Sequence, residues 1–376
     1  MAQDITHDPI YNTVEPENFE ALLEVDRYNE RTDAFDGIIS ATHDHFWDPT
    51  DPTYLDFDAS PMNLNEEFIM PPEFAIELNS AVADRLDEGQ KISLSNESTR
   101  WGLSSILHGE QGALSLSASL CSILRDPGAL EYAANQTREE ARHVTAFAKY
   151  IETRWGTAYP AGNTLAGLMN ELVMAPEVYK KLIGMQMLIE GLAMGAFATF
   201  HSKTQDPLLK RTVQMVMTDE AFHHKFGKIW ADRTVPNLSE DEHEKVEAWA
   251  ARCFETILFN LVNPEQKKLI YAQFGLDWKW VRDAVAEAFT DADRRRLMSQ
   301  NTNVFRVLIK TLLKGGIITD RTRHIYASWV DMDELSSESD EMVGDAIADQ
   351  GILELRDINR NRKKIGRVFK AQTDGL

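Results

Sequence analysis

The chain has only two cysteines among its 376 residues, Cys121 and Cys253, far apart and each in apolar surroundings. That scarcity excludes a disulfide scaffold, and without a Cys-x-x-Cys pair it excludes a thiolate metal site; both thiols are expected to be buried. Basic residues are also few, 39 against 60 acidic ones, for a formal charge of −21. Such a balance repels phosphate backbones and anionic lipid, so neither nucleic acid nor an anionic membrane is the expected partner, whereas a cationic protein would suit it. No uninterrupted apolar run approaches about 18 residues, and the polar start Met-Ala-Gln-Asp-Ile-Thr-His-Asp-Pro lacks the basic-then-apolar pattern of a secretion signal. A soluble, cytoplasmic protein with no membrane span is expected. Strand signals are nearly absent, so the expected class is all-α.

What the chain does have is a repeat. Glu110 precedes Glu140-Ala-Arg-His143 by 30 residues, Glu190 precedes Glu220-Ala-Phe-His223 by the same interval, and each member of the second set lies 80 positions after its counterpart. The context repeats as well. Asp126-Pro127 and Asp206-Pro207 stand 80 apart, and an acid, Glu139 or Asp219, sits just before each Glu-x-x-His.

Residues three apart on a helix share a face, so each Glu-x-x-His aims a carboxylate and an imidazole at one point. Glu110 and Glu190 add one carboxylate each from neighbouring helices. Four carboxylates and two imidazoles inside a helical bundle would be very costly without neutralisation, and two divalent cations supply it. A mixed nitrogen and oxygen set suits iron or manganese.

This six-residue pattern resembles the ferritin-like di-iron and di-manganese carboxylate superfamily, with one Glu from each of two helices and a Glu-x-x-His from each of the other two. The resemblance covers roughly residues 95–232. It implies a four-helix bundle in which Glu110, Glu140 and His143 hold one metal and Glu190, Glu220 and His223 the other, with Glu140 and Glu220 bridging. Glu139 and Asp219 then receive the imidazole N–H groups. His108 and His224, beside ligands but off the repeat, are expected to support the site or lie at the surface. His43 and His45, with no third ligand at sensible spacing, are expected in a surface loop.

In chain order, residues 1–93 form an N-terminal arm with a flanking helix, 94–235 the di-iron bundle, 236–332 additional helices and 333–376 a charged tail. Short helical pattern covers Glu17 to Glu30. A helix is expected from Pro71-Pro72 to about Asp87. The next, capped by Ser93 or Ser95, runs through Glu110 to Leu124; later ones open at Pro127, Pro176 and Pro207. Beyond Ser239 further helices are expected, among them 264–274, 277–289 and 291–313. The tail, acidic from Ser336 to Asp349 and then basic from Arg356 to Lys370, reads as a solvated end or a mobile docking segment.

Gly191 and Gly195, interleaved with Ala193 and Ala196, ask for close helix packing or for a cavity over the metals. An apolar pocket lined by Ala113, Phe147, Ala193, Met194 and Phe197 would admit a small hydrophobic molecule or the end of an acyl group. The Glu-Glu-Ala-Arg-His and Asp-Glu-Ala-Phe-His strings resemble bacterial multicomponent monooxygenase α-subunits and acyl-carrier-protein desaturases. The threonine that those families carry four or three residues after the third Glu is replaced by Met194 or Ala193. Phe147 replaces the radical tyrosine of ribonucleotide reductase small subunits, and Val216 the extra histidine of arylamine N-oxygenases. The resemblance implies two Fe ions, or Mn with Fe, and O2 as co-substrate. It also implies electrons from a separate reductase or ferredoxin, no flavin or nicotinamide motif being visible. The expected reaction is hydroxylation, epoxidation or another oxidation of a hydrophobic substrate. Acyl desaturation, ferritin-like iron handling and a ligand set kept for structure alone are the alternatives, and the assembly is left open between monomer and homodimer.

Overall fold

The computed structural model describes residues 9–43, 45–290, 292–293 and 304–361, and among them the secondary structure is helical, with a single isolated bridge between Thr13 and Leu124. Four long helical segments carry the repeat. The Glu110 helix spans Glu88–Leu120, the Glu140 helix Pro127–Trp155 and the Glu220 helix Pro207–Thr234. The Glu190 helix, Glu190–Lys203, is preceded by an α-turn at Val178–Lys181 and π-helical turns at Leu182–Ile189. The Glu110 helix packs along the Glu140 helix, the Glu190 helix along the Glu220 helix, and the Glu140 and Glu220 helices touch each other.

The repeat is visible in how these helices start. Asp126 and Asp206 each cap a helix, accepting from the amides of Gly128 and Leu208, and the proline after each aspartate occupies the first turn, where it forfeits no helical hydrogen bond. The Glu140 helix ends at Gly156, whose φ of 79° lets its amide return to the Glu152 carbonyl.

Several boundaries differ from the sequence expectation. The stretch after Pro71 is three short 3-10 turns rather than a helix, and the Glu110 helix starts earlier than Ser93: Asp87 accepts from Gln90 N while the Gln90 side chain returns to Asp87 N, a reciprocal cap that outcompetes both serines. That helix ends at Leu120. Residues 121–124 turn to meet the arm, with Val14 N bonded to Ile123 O at 2.8 Å. Pro176 lies two residues ahead of its helix instead of opening it. Of the expected helix 291–313, Val304–Lys314 is helical, and residues 291 and 294–303 lie outside the described residues.

The ends of the chain are also more integrated than expected. In place of a solvated tail, Asp345–Asn361 is a helix lying on the Glu220 helix, burying Ala348, Gly351, Ile352 and Leu355. Gly351 approaches so closely that a Cβ there would stand 2.7 Å from Thr218 Cγ2. The arm meets this helix, the Tyr54 hydroxyl donating to Asn359 Oδ1 at 2.6 Å and Asn359 Nδ2 to Phe46 O at 2.8 Å. Residues 362–376 lie outside the described residues. By length and composition Val178–Lys203 is apolar enough to cross a membrane, but 72% of its apolar window is buried within the protein, as a core helix requires.

Candidate metal centre

The Glu140 and Glu220 helices bring Glu140, His143, Glu220 and His223 together, with one ligand atom from each lying within 4.8 Å of all the others. All four are fully buried. Glu140 turns one oxygen to each imidazole: Oε2 is 3.3 Å from His143 Nδ1 and Oε1 is 3.0 Å from His223 Nδ1. Glu220 does the same, with Oε1 3.0 Å from His143 Nδ1 and Oε2 3.4 Å from His223 Nδ1. Each carboxylate therefore straddles both histidines.

Glu110 and Glu190 flank this core of four. Glu110 Oε2 is 3.3 Å from His143 Nδ1, and Glu190 accepts from Gln136, whose amide also reaches Glu140. The Gln136 Nε2 distances are 3.1 Å to Glu190 Oε1 and 3.0 Å to Glu140 Oε1. Gln136 was not foreseen, although its place one helical turn before Glu140 puts it on the same face.

The outer nitrogens of the histidines meet acids in a crossed arrangement. His143 Nε2 is 2.8 Å from Asp219, which precedes the other Glu-x-x-His, and His223 Nε2 is 3.0 Å from Glu139. Both Nδ1 atoms are thereby turned inward.

Asp219 is the most heavily engaged of these acids. Besides His143 it receives Trp47 Nε1 at 2.9 Å and Arg142 Nε at 2.9 Å, and His45 Nε2 lies 3.1 Å away. This overturns the surface-loop expectation for His45. His45 is 1% exposed, grouped with Glu139 and Asp219, while His43 remains exposed. The arm thus inserts His45 and Trp47 beside the centre, a long-range contact that carries no periodic signal in the sequence.

Electrostatics divide the set. Burial opposes charge on the imidazoles, but the carboxylates of Asp219, Glu110, Glu140 and Glu220 close around it carry His143 well above its usual value, and the charges of Glu140 and Glu220 do the same for His223. Burial pushes Glu140 and Glu220 up, yet the His223 charge and the His143 ring beside them bring both below their usual values. Burial and the Glu220 charge drive Glu110 and Glu190 well above it. Burial also works against Asp219, but Arg142 outweighs it and holds this acid well below its usual value.

The donors could hold a metal ion. Glu140 Oε2, both Glu220 oxygens and His223 Nδ1 are buried and make no hydrogen bond, although they lie close together. Lone pairs converging without hydrogen-bond geometry are what cations would satisfy. The set is made of oxygen and nitrogen donors with no thiolate.

A cavity of about 430 Å³ reaches Glu110 and Glu190. Ala113 and Ala193 line it, with Ile106, Leu168, Met169, Leu192, Ala196 and Phe200 among the apolar walls. Phe147, Met194 and Phe197, expected in the pocket, lie instead in the packed core on the other flank of the Glu190 helix, where the Phe147 and Phe197 rings stack at 5.5 Å. The reason is angular. Ala193 and Met194 follow Glu190 by three and four residues, so they fall on opposite sides of it, and only the Ala193 side faces the cavity. Of the off-repeat histidines, His224 is buried with Nε2 2.9 Å from Thr311 Oγ1, and burial lowers it to about 4; His108 Nε2 is 2.9 Å from Tyr159 O.

Comparison of the chain with protein-family models, curated proteins and solved structures finds no match.

Proposed function

We propose that this protein is a ferritin-like, non-haem di-iron oxidoreductase that uses O2 to oxidise a hydrophobic substrate, with electrons from a separate reductase or ferredoxin. The observation that carries the reading is the pair of carboxylates, Glu140 and Glu220, each facing both His143 Nδ1 and His223 Nδ1. Glu110, Glu140 and His143 would hold one ion and Glu190, Glu220 and His223 the other, with Glu140 and Glu220 shared. Reduced iron, or manganese with iron, bound there supplies electrons to O2.

The chain's own residues do the rest. Asp219 and Glu139 keep the imidazole N–H groups pointing outward, so the metal-facing nitrogens stay available. Gln136 holds the Glu140 and Glu190 oxygens toward each other. The apolar cavity beside Glu110 and Glu190 excludes water from the place where a substrate would meet the centre. It also favours an oxidase over iron handling, since traffic of hydrated ions needs a polar route.

The test is metal content of the purified protein together with its absorbance after anaerobic reduction and exposure to O2. About two irons per chain and a transient visible band are expected. Two irons with slow mineral growth and no transient would favour iron handling. Metal without any reductant-dependent O2 consumption would leave a structural centre, and absence of metal would end the reading.

A further inference from the structure

The cavity beside the centre runs along the Glu110 helix, which lines it from Trp101 through Gly102, Ser105, Ile106, Gly109 and Glu110 to Ala113. Trp101 and Glu110 are nine residues apart, about 13 Å of helical rise. One end is the pair of outer carboxylates. At the other stand Trp101 and Gln266, whose neighbour Lys267 lies over the Trp101 ring.

Among the described residues that line the cavity there is no Lys, Arg or His. Its polar groups away from the centre are few. The Ser105 hydroxyl already donates to the Trp101 carbonyl at 3.0 Å, which leaves it an acceptor, and the Gln266 amide nitrogen donates to Thr164 Oγ1 at 3.3 Å, which leaves its carbonyl oxygen as an acceptor. That oxygen has a place because residue 162 is glycine: a Cβ on Gly162 would stand 2.6 Å from Gln266 Oε1. Cβ atoms on Gly102 and Gly109 would meet nothing within 4 Å, so the helix wall is open to an occupant there.

Lys267 is already paired with Glu77 at 3.0 Å, so an ion of either sign would be stripped of water against these walls without a charged partner among the residues lining that end. Two acceptors beside a hydrocarbon wall suit a neutral hydrogen-bond donor. Resting on the di-metal reading above, we propose that the substrate class is an uncharged, largely aliphatic molecule bearing a hydroxyl or amide N–H. Its donor end is held by Gln266 and Ser105 and its hydrocarbon end is directed toward Glu110 and Glu190. Gln266 is a specificity-determining residue in this scheme and takes no part in the oxidation itself.

The experiment is binding of decan-1-ol, decane, decanoate and decylammonium to the full-length, metal-loaded protein, read by tryptophan emission and calorimetry, with metal content measured on the same preparation. Decan-1-ol should bind at least tenfold more tightly than decanoate or decylammonium. Gln266→Leu should weaken decan-1-ol several-fold and leave decane unchanged, and Gly162→Ala, which displaces the amide, should do the same. Ala193→Trp should abolish binding of decan-1-ol and decane while metal content is retained. Equal or tighter binding of either ion, or decan-1-ol binding indifferent to Gln266→Leu, would overturn the proposal, as would failure of decan-1-ol to bind protein that holds its metal. Decan-1-ol binding with this pattern to protein that takes up no metal would uphold the cavity assignment and defeat the di-metal reading.

Discussion

Replacing Asp219 by asparagine tests the electrostatic frame of the centre most directly. Arg142, with a side chain 9% exposed, donates Nε and Nη2 to Asp219, and its next carboxylate, Glu139, is 3.6 Å away. His143 Nε2 and Trp47 Nε1 also point at Asp219. Asparagine keeps the shape but removes the charge and turns an amide donor toward one of these donors. Breaking a buried pair by neutralising one partner costs about 3–5 kcal/mol. With about 2.1 cal/mol/K of unfolding entropy per residue, 376 residues give roughly 0.8 kcal/mol/K, so Tm should fall by about 4–6 °C. The assay is calorimetric melting of metal-free protein for Asp219→Asn, Arg142→Met and the double variant. The double variant should melt at least 1 kcal/mol above the sum of the single effects, because removing Arg142 removes the stranded charge. A fall under about 1 °C, or strictly additive effects, would refute the reasoning that Asp219 is held ionised by Arg142.

Glu110→Ala and His223→Ala should each lower bound iron below two per chain and abolish reductant-dependent O2 consumption, checked by metal analysis and an oxygen electrode. Removing the metal with a chelator should lower Tm, and restoring iron should recover it; a Tm indifferent to metal would contradict preferential binding to the folded state. Buried Lys181, whose ammonium contacts Ser119 Oγ and the Leu172 and Val173 carbonyls, is lowered by burial to about 8. Because the unfolded chain binds its proton more tightly, stability relative to Lys181→Met should climb as pH rises from about 8 to 10.5, by about 3 kcal/mol in total, and a flat difference in urea midpoints would contradict it. Met194→Trp, in the packed core, should lower Tm rather than block the cavity selectively.

The all-helical class and the residues of the buried cluster were legible because both depend on periodicity. A carboxylate and an imidazole three apart share a face wherever the segment is helical, and a repeat of 80 residues carries that geometry from one helix pair to the next. The Asp-Pro starts were legible for the same local reason. His45 and Trp47 were not, since a residue in an irregular arm meets Asp219 across more than 170 positions without leaving any local pattern. The pocket was half legible. Ala193 and Met194 are equally near Glu190 along the helix, and only packing against the neighbouring helices decides which flank is hollow. The π-helical turns before Glu190 likewise depend on tertiary packing, as the segment is apolar all round and its sequence fixes no phase.

The crossing of acids and imidazoles has a consequence for how the molecule comes together. Glu139 serves His223 and Asp219 serves His143, so neither helical hairpin contains a finished half of the centre. A fragment ending before the second hairpin would have its first histidine free to swivel, and two copies of one hairpin could complete each other only by pairing the same face across a twofold axis. The internal repeat therefore behaves as a dimer interface written into a single chain. Damage on either side of that seam is felt by the histidine on the other.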